Sequence, residues 1–175
     1  MDRARLLRNV ANVVNASSLL GLAVAVASGA RLRVRDSLLV ADSARLPWLK
    51  ASAMTIGSVV LVPRQSLEEV ERRIPRLLAH EDAHAWQYAY CFGLPFLPLY
   101  GIATLWSMAR TKDRALRNVF EVQAGLDTGG YLNARGVGRK RRGRRQREMW
   151  RPAILRWPER TRNRETRSAR PTARL

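Results

Sequence analysis

The chain has two histidines, four residues apart, with a glutamate after the first: His80-Glu81-Asp82-Ala83-His84. On a helix, residues i and i+4 lie one above the other on the same face. A helix through residues 80–84 would therefore present both imidazoles to one metal ion from a single rigid element. Glu81 would lie beside that face, where a carboxylate can take a proton from metal-bound water. Without a metal, the same spacing would describe two histidines titrating near neutral pH on the solvent side of a helix.

The flanking sequence favours the helix. Ser66 followed by Glu69 is a capping box, and Glu68, Glu69 and Glu71 suit the positive end of a helix dipole. Pro75 interrupts the run, which implies a kink or two helices. Beyond it Leu77, Leu78, Glu81, His84, Ala85 and Tyr88 follow helical steps, while His80, His84, Gln87 and Cys91 share a stripe. Gly93 and Pro95 are expected to end the helix.

A catalytic zinc site commonly takes three protein ligands, His₂Glu being one set, and leaves a fourth position to water. Downstream of the motif and before the basic tail, the acidic residues are Asp113, Glu121 and Asp127. Glu121 sits in NVFEVQAGLDTGGY among Val119, Phe120, Val122 and Ala124, a helical pattern that Gly129 and Gly130 are expected to close. A carboxylate turned inward on such a helix needs a partner, and a metal would serve. Glu121 is thus the first candidate for third ligand and Asp127 the second; an ordinary ion pair of Glu121 with Arg114 or Arg117 is the plainer reading.

HEDAHAWQ followed by NVFEVQA resembles the gluzincin arrangement of zinc metallopeptidases, in which HExxH and a glutamate on a later helix hold the metal. Residues 55–131 are similar to small HExxH proteins of high-GC bacteria. The resemblance implies zinc on His80, His84 and Glu121, with Glu81 as general base for hydrolysis of a peptide or protein substrate. Thermolysin-like members carry an aspartate four residues past the ligand glutamate to orient a ligand histidine. This chain has Gly125 there, which leaves Asp127 or Gln87 as substitutes. Tyr131, after Gly129 and Gly130, is a candidate oxyanion donor or, more ordinarily, a structural tyrosine.

Upstream, Leu32 to Val40 and Thr55 to Val62 read as two strands, the second leading into the motif helix. In HExxH peptidases a strand of this kind pairs with extended substrate; otherwise it is one strand of a small sheet. Cys91 is the only cysteine, which excludes an internal disulfide and a cysteine-rich zinc finger and reads as a small buried hydrophobe.

Two apolar stretches bear on location. Residues 10–30 follow a basic start and end in small residues, the outline of a signal peptide or N-terminal anchor. Asn12, Asn15, Ser17 and Ser18 interrupt the run and favour a buried or membrane-associated helix. Residues 91–109 carry no charge until Arg110, but Gly93, Pro95, Pro98 and Gly101 break them. A crossing there would separate residues 80–84 from Glu121, so the run is expected to pack in the core or lie shallowly in an interface. The chain reads as cytoplasmic or membrane-associated.

The formal net charge is +18, and residues 135–175 hold 16 Lys and Arg against 3 Asp and Glu. This Arg-rich stretch is expected to be disordered, with a short helix near Met149 to Trp157, and to attract an anionic membrane surface or nucleic acid without sequence specificity. The sequence thus implies a mostly helical α+β domain of zincin-like plan over residues 1–134, with a small sheet, and a disordered basic tail over 135–175. Its expected activity is zinc-dependent peptide hydrolysis. The alternative is a non-catalytic protein that binds membrane or nucleic acid through the tail.

Overall fold

A computed structural model describes residues 2–131. The basic stretch 135–175 and the short helix expected within it lie outside the described residues. In chain order the elements are α1 (Arg3–Val14), α2 (Ser17–Ala27), β1 (Arg31–Arg35), β2 (Leu38–Ala44), β3 (Met54–Ile56) and β4 (Val59–Pro63). Then follow α3 (Leu67–Glu71), α4 (Leu77–Tyr90), α5 (Phe96–Thr111) and α6 (Val119–Ala124). The fold is α+β: six helices with a four-stranded mixed sheet of order β1-β2-β4-β3.

The sheet corrects the strand expectations. Each stretch read as one strand is a hairpin. Residues 32–40 fold back at Asp36 and Ser37, whose φ angles of 49° and 68° are those of a two-residue primed turn. Asp-Ser lacks the glycine that normally marks such a turn, so the reversal left little trace in the sequence. Residues 55–62 reverse at Gly57-Ser58, with Gly57 at φ 63°. The parallel pairing of β2 with β4 at the centre leaves β3 on an edge of the sheet.

Both faces of the sheet are covered. On β4, Val59 and Leu61 join Ile56, Ala41, Tyr88 and Phe96 in one apolar cluster, while Val60 and Val62 join Leu38, Val40, Leu67 and Ala85 in the other. That double burial explains the unbroken apolar run of β4, which a one-sided strand would have alternated with polar residues. Helix α4 contributes to both clusters, Leu77, Leu78 and Ala85 to one and Tyr88 to the other, and so fixes its own rotation about its axis.

Helix α3 forms the expected capping box: Ser66 Oγ accepts from the Glu69 amide at 3.3 Å and Glu69 Oε2 from the Ser66 amide at 3.0 Å. Pro75 and Arg76, the latter at φ 74°, separate α3 from α4, so the interruption divides two helices rather than kinking one. At its far end α4 stops at Tyr90, and the Gly93 amide donates back to the Tyr88 carbonyl at 2.8 Å. Cys91 is partly buried, packed against the core.

Residues 10–30 hold parts of two helices rather than one. Among the described residues no single helix is long and apolar enough to cross a membrane; α1 and α2 pass that test only as a pair bent by 77°. The polar residues that break the apolar run face inward. Asn12 is buried and donates to the Ala85 carbonyl on α4 at 2.8 Å and to Ser58 Oγ at 3.1 Å. The buried Arg8 guanidinium pairs with the Asp82 carboxylate of the histidine motif and donates to the Ser37 carbonyl at 3.1 Å.

Candidate metal centre

The two histidines lie on α4 with their rings edge to face, centroids 4.7 Å apart, and Nε2 to Nε2 at 3.1 Å. Helix α6 brings Glu121 to the same point. Its carboxylate oxygens stand 3.2 Å from His80 Nε2 and 3.8 Å from His84 Nε2, and all three residues are buried. Among the described residues these three form a group able to hold a metal ion. Asp127 is not part of it. The ion pairs considered for Glu121 with Arg114 and Arg117 give way to these histidine contacts.

Local chemistry places Glu121 there. Asn118 caps α6, accepting from the Phe120 amide at 3.0 Å, and its Nδ2 donates to Thr104 Oγ1 on α5 at 3.0 Å. Buried Ser107 ties the connection, donating to the Asp113 carbonyl at 2.6 Å and accepting from the Arg117 amide at 2.8 Å. The helix closes at Gly125, φ 98°, earlier than the expected close at Gly129 and Gly130. Gly129 has a different role: a Cβ on it would stand 2.7 Å from His80 Cε1, so the chain can press against the imidazole only with glycine there.

Each imidazole is held in one tautomer. His80 Nδ1 lies 3.1 Å from the Gly125 carbonyl, which can only accept, so Nδ1 carries the proton. His84 Nδ1 lies 2.8 Å from Gln87 Oε1, and the Gln87 amide is oriented in turn by donating from Nε2 to the Phe120 carbonyl at 2.9 Å. Of the two substitutes expected for the missing aspartate, Gln87 serves His84. His80 is served by the backbone of Gly125, the residue that stands where the aspartate would be. With both Nδ1 atoms donating, both Nε2 atoms face one point beside a carboxylate, the position from which each could ligate a metal.

Glu121 Oε1 accepts from Tyr131 Oη at 3.2 Å and from Tyr100 Oη, whereas the buried Oε2 has, among the described residues, only His80 Nε2 facing it at 3.2 Å. Burial and the neighbouring Glu121 charge push both phenols up, so they remain donors. Tyr131, considered as an oxyanion donor, here spends its hydroxyl on Glu121. Burial works to lower His80, but contact with the Glu121 carboxylate and the charges of Glu81 and Glu121 outweigh it and leave the imidazole raised. Burial likewise works to raise Glu121, and the two histidines hold it below its ordinary value.

These features fit a cation. Ligands at tetrahedral zinc distances from one ion would stand about 3.3–3.6 Å apart, and the separations here are 3.1, 3.2 and 3.8 Å. Two lone pairs and a buried carboxylate oxygen at such spacing repel unless a proton or a metal ion lies among them. The identity of the ion is not fixed by this geometry.

Glu81 is buried on the same helix, and its Oε2 accepts from Thr55 Oγ1 of β3 at 2.7 Å. It shares with His80 a cavity of ≈ 570 Å³ whose walls include Ala51, Ile74, Met108 and Tyr131. Thr55 and Tyr100 were not anticipated from sequence, since neither belongs to a spacing motif; the only signal was polarity at buried positions in otherwise apolar runs. Comparison with known protein families, with curated proteins and with solved structures finds no match to this chain.

Proposed function

We propose that the protein is a zinc-dependent peptidase, with His80, His84 and Glu121 as metal ligands and Glu81 as general base. The observation that carries this reading is the convergence of two tautomer-locked Nε2 atoms and a buried carboxylate oxygen that faces only them, with a second carboxylate on the adjoining cavity. The likeness to the gluzincin arrangement supports it from the sequence side.

A bound zinc would supply Lewis-acid polarisation and lower the pKa of a coordinated water. Glu81 takes the proton of the attacking water at Oε1, its other oxygen being held by Thr55. Gly125 and Gln87 keep the imidazoles in the ligating tautomer, and Tyr100 and Tyr131 fix Glu121. The cavity takes the substrate, and edge strand β3, from which Thr55 reaches Glu81, offers an extended peptide a backbone to pair with.

The test compares wild type with Glu81→Gln for metal content by mass spectrometry and for cleavage of an unfolded protein and a peptide library. The variant should keep about one zinc per chain and lose cleavage. Equal cleavage by the variant refutes the role of Glu81, and absence of cleavage by zinc-loaded wild type refutes the peptidase reading.

A further inference from the structure

Three helices of this fold are turned inside out. On α1 the buried residues are Arg8 and Asn12, while Leu7, Val10 and Val14 are exposed, Val14 by 81%. On α2 the buried residues are Ser17, Ser18, Gly21 and Ala25, and Leu19 and Val26 face out. On α5 only Phe96 and Ser107 are buried, and Ile102, Leu105 and Trp106 face out, Leu105 by 70%. In water the opposite arrangement is expected, apolar stripe inward and polar stripe outward. Small and polar residues inside with large aliphatic residues outside is how helices pack when their surroundings are hydrocarbon.

A Cβ on Gly93 would stand 2.5 Å from the Asn15 side chain, so the turn between α4 and α5 lies against the elbow between α1 and α2. Phe92, in that turn, is 83% exposed, and Val13 and Val14 at the end of α1 are exposed as well. Helices α1, α2 and α5 have 12, 11 and 16 residues, hence lengths of about 18, 16 and 24 Å, short of the roughly 30 Å of a hydrocarbon core. They can lie in an interface without spanning it. Cations flank these helices along the chain: Arg3 and Arg5 begin α1, and Arg110, Lys112, Arg114 and Arg117 end or follow α5. The Arg110 guanidinium stacks 4.4 Å over exposed Trp106, placing charge and ring together as an interfacial residue pair would.

We propose that the outer faces of α1, α2 and α5, with the Phe92 turn, seat this protein in one leaflet of an anionic bilayer without crossing it. Apolar burial supplies part of the attachment, and the flanking arginines and lysines supply the preference for anionic lipid. The attachment does not depend on residues 135–175, although their charge adds to it.

The experiment is flotation of the full-length protein with vesicles of phosphatidylcholine alone and with phosphatidylglycerol, at low salt and at about 0.5 M salt, where exposed charges are screened. Wild type should bind, prefer the anionic vesicles, and retain a salt-resistant fraction. Val14→Ser, Phe92→Ser and Leu105→Ser combined should lower partitioning roughly tenfold or more. These positions are exposed, so circular dichroism and metal content should be unchanged; should the triple variant misfold, Phe92→Ser alone is expected to lower partitioning in the same direction. Deletion of residues 135–175 should leave the salt-resistant fraction. Binding abolished by salt and insensitive to the substitutions would assign the contact to the basic tail and overturn the proposal. So would light scattering showing that the substitutions convert an oligomer to monomer with vesicle binding unchanged, because the surface would then belong to a second copy.

Discussion

His80 and Glu121 compete for one proton before any metal arrives. With the His80 imidazole held above its ordinary 6.5, its stabilising contribution is full below that value and lost as pH rises through the raised one. With Glu121 held below its ordinary 4.5, its contribution is full above 4.5 and lost as pH falls through the lowered one. The metal-free protein should therefore gain most from this pair between pH 4.5 and 6.5. Metal must displace the His80 proton, so affinity should weaken on acidification across the His80 transition. Titration calorimetry at or below pH 6.5, in buffers of different ionisation enthalpy, should show proton release, and none would contradict the assignment of His80 as a ligand. Gln87→Leu removes the acceptor for His84 Nδ1 and should weaken metal binding about 10–100-fold while leaving the ligands in place. Equal affinity, measured by competition with a chelating dye, would mean that His84 needs no such support.

At the scale of elements, what could be read in the sequence was what is local. The helix through His80 and His84, the Ser66 capping box and the break at Pro75 all depend on residues within a turn or two, and all are present. The hairpin at Asp36-Ser37 was not legible because its two positive φ angles are imposed on residues that ordinarily avoid them. Thr55 and Tyr100 were not legible either: each meets its carboxylate partner across more than twenty residues of intervening chain, a contact that spacing rules do not encode. Residues 10–30 and 91–109 could be recognised as apolar in the sequence, but not which of their residues face the protein. The polar residues of α1 decide this, by reaching α4. Asn12→Ala should consequently cost about 1–3 kcal/mol, since it removes a buried amide that bridges α1 to α4 and to the β3–β4 turn. Chemical denaturation would check this, and a change below a few tenths of a kcal/mol would mean that α1 is dispensable to the core.

For the molecule as a whole, a site assembled from β3, α4, α5 and α6 should couple metal to global stability. At free zinc a hundredfold above the dissociation constant, the gain should be about 2.7 kcal/mol, visible as a raised Tm in wild type and absent in Glu121→Gln. A Tm raised equally in both would place the stabilising metal elsewhere. Of the four elements, α6 has only six residues, too few to persist as a helix by itself. It depends on Asn118 and Thr104 to dock, yet it carries the proposed third ligand and, through the Phe120 and Gly125 carbonyls, aligns both imidazoles. When this segment lifts, a bound ion would lose a ligand and both alignments in one event. Metal should thus leave at the rate at which residues 118–125 open, not at the rate of breaking any single coordination bond. Isotope exchange of bound zinc and amide exchange within α6 should run on one clock, and anything that pries α5 from Asn118 should act as a release mechanism for the ion.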